Sequence, residues 1–329
     1  MTSMNNPGLF QVIRSRCEEV TRRAASVQIN DDGLHAFAER LASDRSGEVN
    51  LDPARGVEGD EYELLAFLVA LDAINFGSGW FPLLRKKDGM SGYRTIAAAC
   101  RERFESEGAW SGEALRAATP ESMARLLGQD IEGCSGGQGV GELMGLYAQA
   151  WRDLGDWLAR EHADRFDRFV EAAENSAERM VLDLAKMPFY QDVAGYAELE
   201  VPFYKRAQIT VADLNQAFGS RRFGRFNDLA QLTLFADNLV PHVLRCEGVL
   251  VYSRALEAKI ESETLLVVGT RVEVEIRAVA LEAVERLVGV LESLSASTTA
   301  YELDGRLWNA GQAPEIKARP RHRARSTYY

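Results

Sequence analysis

The sequence predicts an all-α protein folded as a single helical domain, and three observations carry that prediction. Apolar residues recur at three- and four-residue steps over long stretches. Capping and stop residues bracket several of those stretches. The run that alternates like a strand, VEVEI, sits inside a longer helical period.

Taken in chain order, the first clear element runs from Asp60 to Ile74. Leu64, Leu65, Phe67, Leu68, Ala70 and Leu71 wrap nearly around it, which predicts a buried helix ending at Gly77 and Gly79. Ser111 before Gly112-Glu113 marks a short helix. Thr119-Pro120-Glu121-Ser122 reads as an N-cap with proline at the first helical position, and Gly128 as its stop. The glycine-rich stretch from Gly133 to Gly141 reads as a connector into a helix. Its N–H groups could also face an anion, but it lacks the Lys-Ser/Thr of a nucleotide P-loop. From Gly141 to Phe169, Leu143, Leu146, Tyr147, Ala150, Trp151, Leu154, Trp157 and Leu158 predict one amphipathic helix. Lys205 falls in the first turn of a helix continued by Ile209, Ala212 and Leu214 toward Phe218. Pro241 disfavours helical geometry at Val240 and opens a helix running on through Val243, Leu244 and Val249. Finally, Val272, Ile276, Val279, Ala280, Ala283, Val284 and Leu287 predict a long helix that overrides the alternation of VEVEI.

Composition narrows the function. In 329 residues, 38 Lys+Arg stand against 49 Asp+Glu, a formal net charge of -11, and 46 % of the chain is hydrophobic. An acidic balance argues against a broad face for nucleic-acid phosphates, which needs clustered cations. A small-molecule substrate fits better. No run of about 18 apolar residues predicts a membrane span, and the N-terminal MTSMNNPGLFQVIRSRCEEV carries no signal-peptide core, so a cytoplasmic protein is expected. The four cysteines, Cys17, Cys100, Cys134 and Cys246, form no CxxC or Cys/His ligand spacing, and HExxH, GxSxG, GxxxxGK[ST] and GxGxxG do not occur. Chemistry without metal or cofactor, run by carboxylate, lysine and aromatic groups, is the expectation.

Three segments are not explained by amphipathic periodicity. In Asn75 to Pro82, Phe76, Trp80 and Phe81 flank two glycines; they either close the helix end as core or stack on a planar ligand. In Pro202 to Ile209, Lys205 in a first turn opposes the helix dipole, so it is either exposed or held by a partner. In Leu232 to Pro241, Asp237 lies beside a helix break among apolar neighbours; it either caps the next helix or is a partly desolvated carboxylate aimed into a pocket.

These segments resemble the queuosine salvage family, the queuosine 5′-phosphate N-glycosylases. FYKRAQITVADL (Phe203 to Leu214), LTLFADNLVP (Leu232 to Pro241), VEVEIRAVALEAVE (Val272 to Glu285), INFGSGWFP (Ile74 to Pro82) and HRARSTYY (His322 to Tyr329) carry the resemblance over most of the chain. The family's aspartate motif more often continues FADYRVPQ, where this chain has Asn238, Leu239 and His242. The resemblance implies an all-helical fold similar to the helix-hairpin-helix DNA glycosylases. It also implies hydrolysis that frees queuine, a 7-deazaguanine, from queuosine 5′-phosphate, with queuine then salvaged for tRNA modification. The competing function is a nucleic-acid glycosylase or an RNA-binding helical module.

The same resemblance assigns roles. Asp237 is the carboxylate that stabilises the oxocarbenium-like sugar and takes a proton from water, with Lys205 beside it favouring its ionised form. Phe76, Trp80, Phe203 and Phe235 are stacking walls for the base. Glu275 accepts hydrogen bonds from the base or its cyclopentenediol arm, although Arg271 with Glu275 and Glu273 with Arg277 also fit i,i+4 pairs on a solvated face. The basic tail (Lys317, Arg319, Arg321, Arg323 and Arg325) would ordinarily be a loose arm. Matching a family motif, segment 315–329 is instead expected to dock on the domain of residues 1–329 and bring His322 and Arg323 to the 5′-phosphate.

Overall fold

A computed structural model describes residues 7–44, 59–131 and 139–329, and in them helices dominate over two short antiparallel two-stranded sheets. The glycine-rich stretch lies mostly outside the described residues. No described helix is long and apolar enough to cross a membrane. The described chain forms two compact units: one of residues 7–44, 192–205 and 228–324, the other of residues 59–131, 139–191, 206–227 and 325–329.

The first unit is built around the helix Arg271–Ser293. Val274, Ile276, Ala278 to Leu281, Ala283, Val284, Leu287 and Leu291 are buried along it. The helices Leu9–Arg23, Asp31–Ser43, Val240–Cys246 and Ala300–Ala310 pack against it, as do the strands Val27–Ile29 and Val193–Tyr196. The VEVEI alternation is therefore helical, as the longer period predicts. Its polar residues have a different fate from the solvated face that i,i+4 pairing suggests: Glu273, Glu275 and Arg277 are all buried. From Glu273 to Leu281 every residue of the helix is buried, so this stretch has no solvated face to offer them; Arg271, at the helix start, stays exposed while pairing with Glu275. The helix opened by Pro241 stops at Cys246, short of Val249, because Gly248 (φ +77°) turns the chain into the strand Leu250–Tyr252.

In the second unit the helix Glu61–Asp72 is buried from Leu65 to Asp72, and the Asp60 side chain caps it by accepting the N–H groups of Tyr62 and Glu63. Thr119 and Ser122 form the capping box of Pro120–Leu126, and Ser111 caps Gly112–Arg116. These short helices pack on Gly139–Glu161. Gly155 permits that approach, since a Cβ there would meet the Gly112 carbonyl at 2.7 Å. Leu154 and Leu158 of this helix are fully buried, each worth about 1.5–3 kcal/mol, while Leu143 and Tyr147 are buried toward the Phe76-Gly77 turn.

The single helix expected from Gly141 to Phe169 is two, Gly139–Glu161 and Phe166–Ala172. Ala163 and Asp164 adopt left-handed φ of +52° and +59°, and the Asp164 N–H returns to the Leu158 carbonyl at 2.9 Å. Side chains from elsewhere in the unit hold the break. Arg116 grips the Asp164 carboxylate at 2.8 and 3.1 Å, and His162 lies 2.9 Å from Asp183. Apolar spacing on both sides of a break gives no sign of these partners.

Candidate active site

Three separate segments of the first unit converge on one buried guanidinium. Arg277 reaches Asp192 through a fork, Nη1 to Oδ1 at 2.8 Å and Nη2 to Oδ2 at 2.7 Å, and its Nε donates to the carbonyl of Ala236 at 3.0 Å. Arg277 and Asp192 are 1 % and 3 % exposed at their side chains, so each charge needs the other. Glu273 stands one turn back, 3.9 Å from Arg277.

Each end of this brace holds one of the expected residues. Asp192 accepts the backbone N–H of Lys205 on Oδ2 at 3.0 Å, and its own carbonyl accepts the N–H groups of Phe203 and Tyr204. Tyr204 carries a left-handed φ of +47°, so these bonds fix a backbone that a tyrosine rarely adopts. The helix Lys205–Phe218 begins there, with Lys205 itself buried. At the other end, the carbonyl bound by Arg277 belongs to the residue just before Asp237.

Asp237 does cap the helix Val240–Cys246. Its Oδ1 accepts the N–H groups of Leu239 at 2.7 Å and Val240 at 3.0 Å. Oδ2 makes no hydrogen bond among the described residues, and the side chain is only part-buried. Capping thus occupies half of the carboxylate. A second acid, Asp304 on the helix Ala300–Ala310, lies within electrostatic reach of Asp237 and Lys205. Burial above all, and then the charge of Asp237, push the Asp304 carboxyl well above the usual range, against the opposing pull of the Phe235 N–H and Lys205. The Phe235 N–H donates to Asp304 Oδ1 at 3.1 Å.

The remaining expected residues have these surroundings. Phe203 is buried with the Arg277 guanidinium 4.0 Å from its ring centroid, and Phe235 is 8 % exposed beside Asp304. Glu275 is fully buried and accepts four hydrogen bonds, from the Ser26 and Ala25 N–H groups, the Tyr196 hydroxyl and Arg271 Nε, at 2.7 to 3.1 Å. Burial raises its pKa, but these donors together outweigh that and lower it. His322 is buried, its pKa pushed down to about 3 by desolvation and neighbouring cations, so it is neutral at ordinary pH. Arg323 pairs with Glu263 at 3.0 Å. Phe76 and Trp80 belong to the second unit. There Phe76 packs edge-on against Tyr147 and Phe189 under Arg206, and Trp80 donates to Glu142 at 2.8 Å with Arg325 over its ring.

Sequence reasoning missed Asp192, Arg277 and Asp304. Arg277 had a visible signal: apart from Glu273 and Glu275 it stands among apolar residues, Val274, Ile276 and Ala278 to Leu281. Asp192 and Asp304 carried none, because each is defined by a partner more than 60 residues away.

The sequence profile of the queuosine salvage protein family matches residues 56–329. The chain is 33% identical over 334 residues to a queuosine 5′-phosphate N-glycosylase/hydrolase of Sphaerobacter thermophilus, covering 99% of this chain and 100% of that protein. Proteins of the same description from Dictyostelium discoideum (30% identical, 80% of this chain and 77% of that protein) and Bos taurus (27% identical, 96% and 98%) are also similar.

Proposed function

The chain belongs to the queuosine salvage protein family, and from that premise we infer that it hydrolyses the N-glycosidic bond of queuosine 5′-phosphate, releasing queuine, with Asp237 as the working carboxylate. The observation that supports this assignment is the contrast between two neighbouring acids. Asp304 is buried and favours its neutral form. Asp237 is part-buried, with one oxygen held by two N–H groups and the other open. The negative charge of a carboxylate is of use where an oxygen stays open to substrate, rather than where burial favours the neutral acid.

That charge has two uses. Cleavage of the C1′–N bond leaves positive charge on the sugar, and a carboxylate fixed nearby stabilises it without having to reorient. As water attacks C1′, Asp237 Oδ2 takes its proton and the bonding pair leaves with the base. A 7-deazapurine has carbon where a purine has N7, so protonation there cannot assist departure. Stabilisation of the cation therefore carries more of the barrier. Lys205 supplies positive charge across the site from Asp304 and serves the ribose hydroxyls or the attacking water; a covalent Schiff base is unnecessary for simple hydrolysis. Phe235, two residues before Asp237, is the stacking surface this reading favours, whereas Phe203 is 1 % exposed and packs against the Arg277 guanidinium. Glu275, with its lone pairs already occupied by protein donors, acts in this reading by fixing the Ala25-Ser26 turn and Tyr196.

We take the helical frame to be of the helix-hairpin-helix DNA glycosylase kind, and residues 1–329 to work as one salvage domain with segment 315–329 docked on it. The dominance of helix and the hydrogen bonds made by the tail support this. Purified protein mixed with queuosine 5′-phosphate is expected to release free queuine, followed by chromatography. Asp237→Asn keeps the side-chain oxygen that caps the helix but lowers turnover by about 10²- to 10⁴-fold. An unchanged rate in a folded variant removes Asp237 from the mechanism.

A further inference from the structure

The substrate inferred above carries a phosphate, and the tail expected to bind it contains five cations in nine residues, Lys317 to Arg325. Their surroundings separate them. Lys317 and Arg319 are exposed. Arg323 is paired with Glu263, and Arg325 with Glu142. Arg321 differs from the other four: it is part-buried, yet it has neither a hydrogen bond nor an ion pair among the described residues.

Its place is fixed from both sides. His242 and Arg245 lie on the helix Val240–Cys246, whose first N–H groups Asp237 caps. His242 Nε2 is 3.0 Å from the Ile316 carbonyl, and Arg245 Nη2 donates to the Pro320 carbonyl at 2.7 Å. The tail therefore runs along the helix whose N-terminal end Asp237 holds. Just past Arg321, His322 is buried, and the Arg323 carbonyl accepts the Leu266 N–H at 2.8 Å. Between these pins Arg321 lies within electrostatic reach of Asp237; burial disfavours its charge, Asp237 favours it and Arg323 opposes it. A part-buried guanidinium without a bonded anion is costly, and a bound phosphate that accepts two parallel N–H bonds relieves that cost.

Resting on the reading of the chain as a queuosine 5′-phosphate hydrolase, we propose that Arg321, rather than His322 or Arg323, is the residue that grips the 5′-phosphate and makes the enzyme prefer nucleotide over nucleoside. His322 is neutral and enclosed, and Arg323 already has a carboxylate. Held on the tail beside the Asp237 helix, Arg321 ties the phosphate end of the ribose to the carboxylate that acts at its other end.

The test compares queuosine 5′-phosphate with queuosine in the wild type, Arg321→Gln, Arg321→Lys and Arg323→Gln. Binding of D-ribose 5-phosphate and D-ribose is measured by calorimetry on the same proteins. Arg321→Gln is expected to lose about 10- to 100-fold in kcat/KM on the 5′-phosphate, mostly through KM. It should lose a similar factor in ribose 5-phosphate affinity, with queuosine turnover and ribose binding unchanged. Arg321→Lys should recover part of the loss, and Arg323→Gln should behave as wild type. Equal losses on phosphorylated and unphosphorylated ligands, or no loss on either, overturn the proposal. If the wild type releases no queuine, the inferred function fails, while the ribose 5-phosphate comparison still decides whether Arg321 holds the phosphate.

Discussion

Asp237 and Asp304 have the same functional group in different surroundings: Asp237 is part-buried and accepts two backbone N–H groups, Asp304 is buried. Asp304 has only one backbone N–H and the charge of Lys205 to offset burial and the charge of Asp237, and burial prevails, so it favours the neutral acid. A neutral carboxyl and a carboxamide have similar shape, and each can accept the Phe235 N–H. Asp304→Asn is therefore expected to keep kcat within about fivefold of wild type, against the loss of orders of magnitude expected for Asp237→Asn. Steady-state assays of the two variants side by side decide this; comparable losses would mean that Asp304 works as an anion. Asp237 was legible in the sequence as an acid at a helix break, and its capping reading is realised through Oδ1, while Oδ2 makes no hydrogen bond among the described residues. Asp304 was illegible: in YELDGRLW it is an ordinary helical aspartate, and only the approach of the Phe235 backbone from a distant segment gives it a role.

The helix Arg271–Ser293 shows how one element can position two others. Its apolar period buries it, and burial forces Arg277 to find anions and carbonyls inside the unit. Those it finds lie at the mouths of the Lys205 and Asp237 segments. Arg277→Lys keeps the charge but has no planar fork to bond Asp192 twice and Ala236 once. We expect it to unfold with a loss of about 1–3 kcal/mol by urea denaturation and to lower kcat by about tenfold or more, with KM nearly unchanged, because Asp237 and Lys205 shift relative to the sugar. Stability loss with kcat intact would make the brace purely structural. The i,i+4 spacing of Glu273 and Arg277 was readable, and so was the arginine's apolar company. That its main partner would be Asp192, 85 positions away, was not. The same limit split the helix expected from Gly141 to Phe169, where Arg116 and Asp183 hold a break that spacing does not reveal.

At the scale of the whole molecule, the net charge of -11 hides a basic C-terminal segment, and its packing links the chain's end to its acid sensitivity. His322 is held with a pKa of about 3 and His242 about 4, both chiefly by desolvation, against about 6.5 in an unfolded chain. Above the unfolded value both states are neutral and neither histidine affects stability. As pH falls below it, the unfolded chain takes up protons that the native state refuses, so stability is lost toward the folded values. His322→Asn removes one such proton. Its unfolding free energy is expected to fall less steeply than wild type, by about 1.4 kcal/mol per pH unit between about pH 6 and pH 4, measured by urea denaturation across that range; parallel curves would show that His322 titrates natively. The sequence by itself determined that the chain is helical, where its caps lie, and which family its motifs match, because periodicity, capping and short motifs are local properties. Tertiary structure alone decided which charges are buried, which of two aspartates favours its neutral form, and which of the tail's cations is part-buried without a bonded carboxylate. Those properties depend on desolvation and on partners far apart in the chain, and no local pattern encodes either.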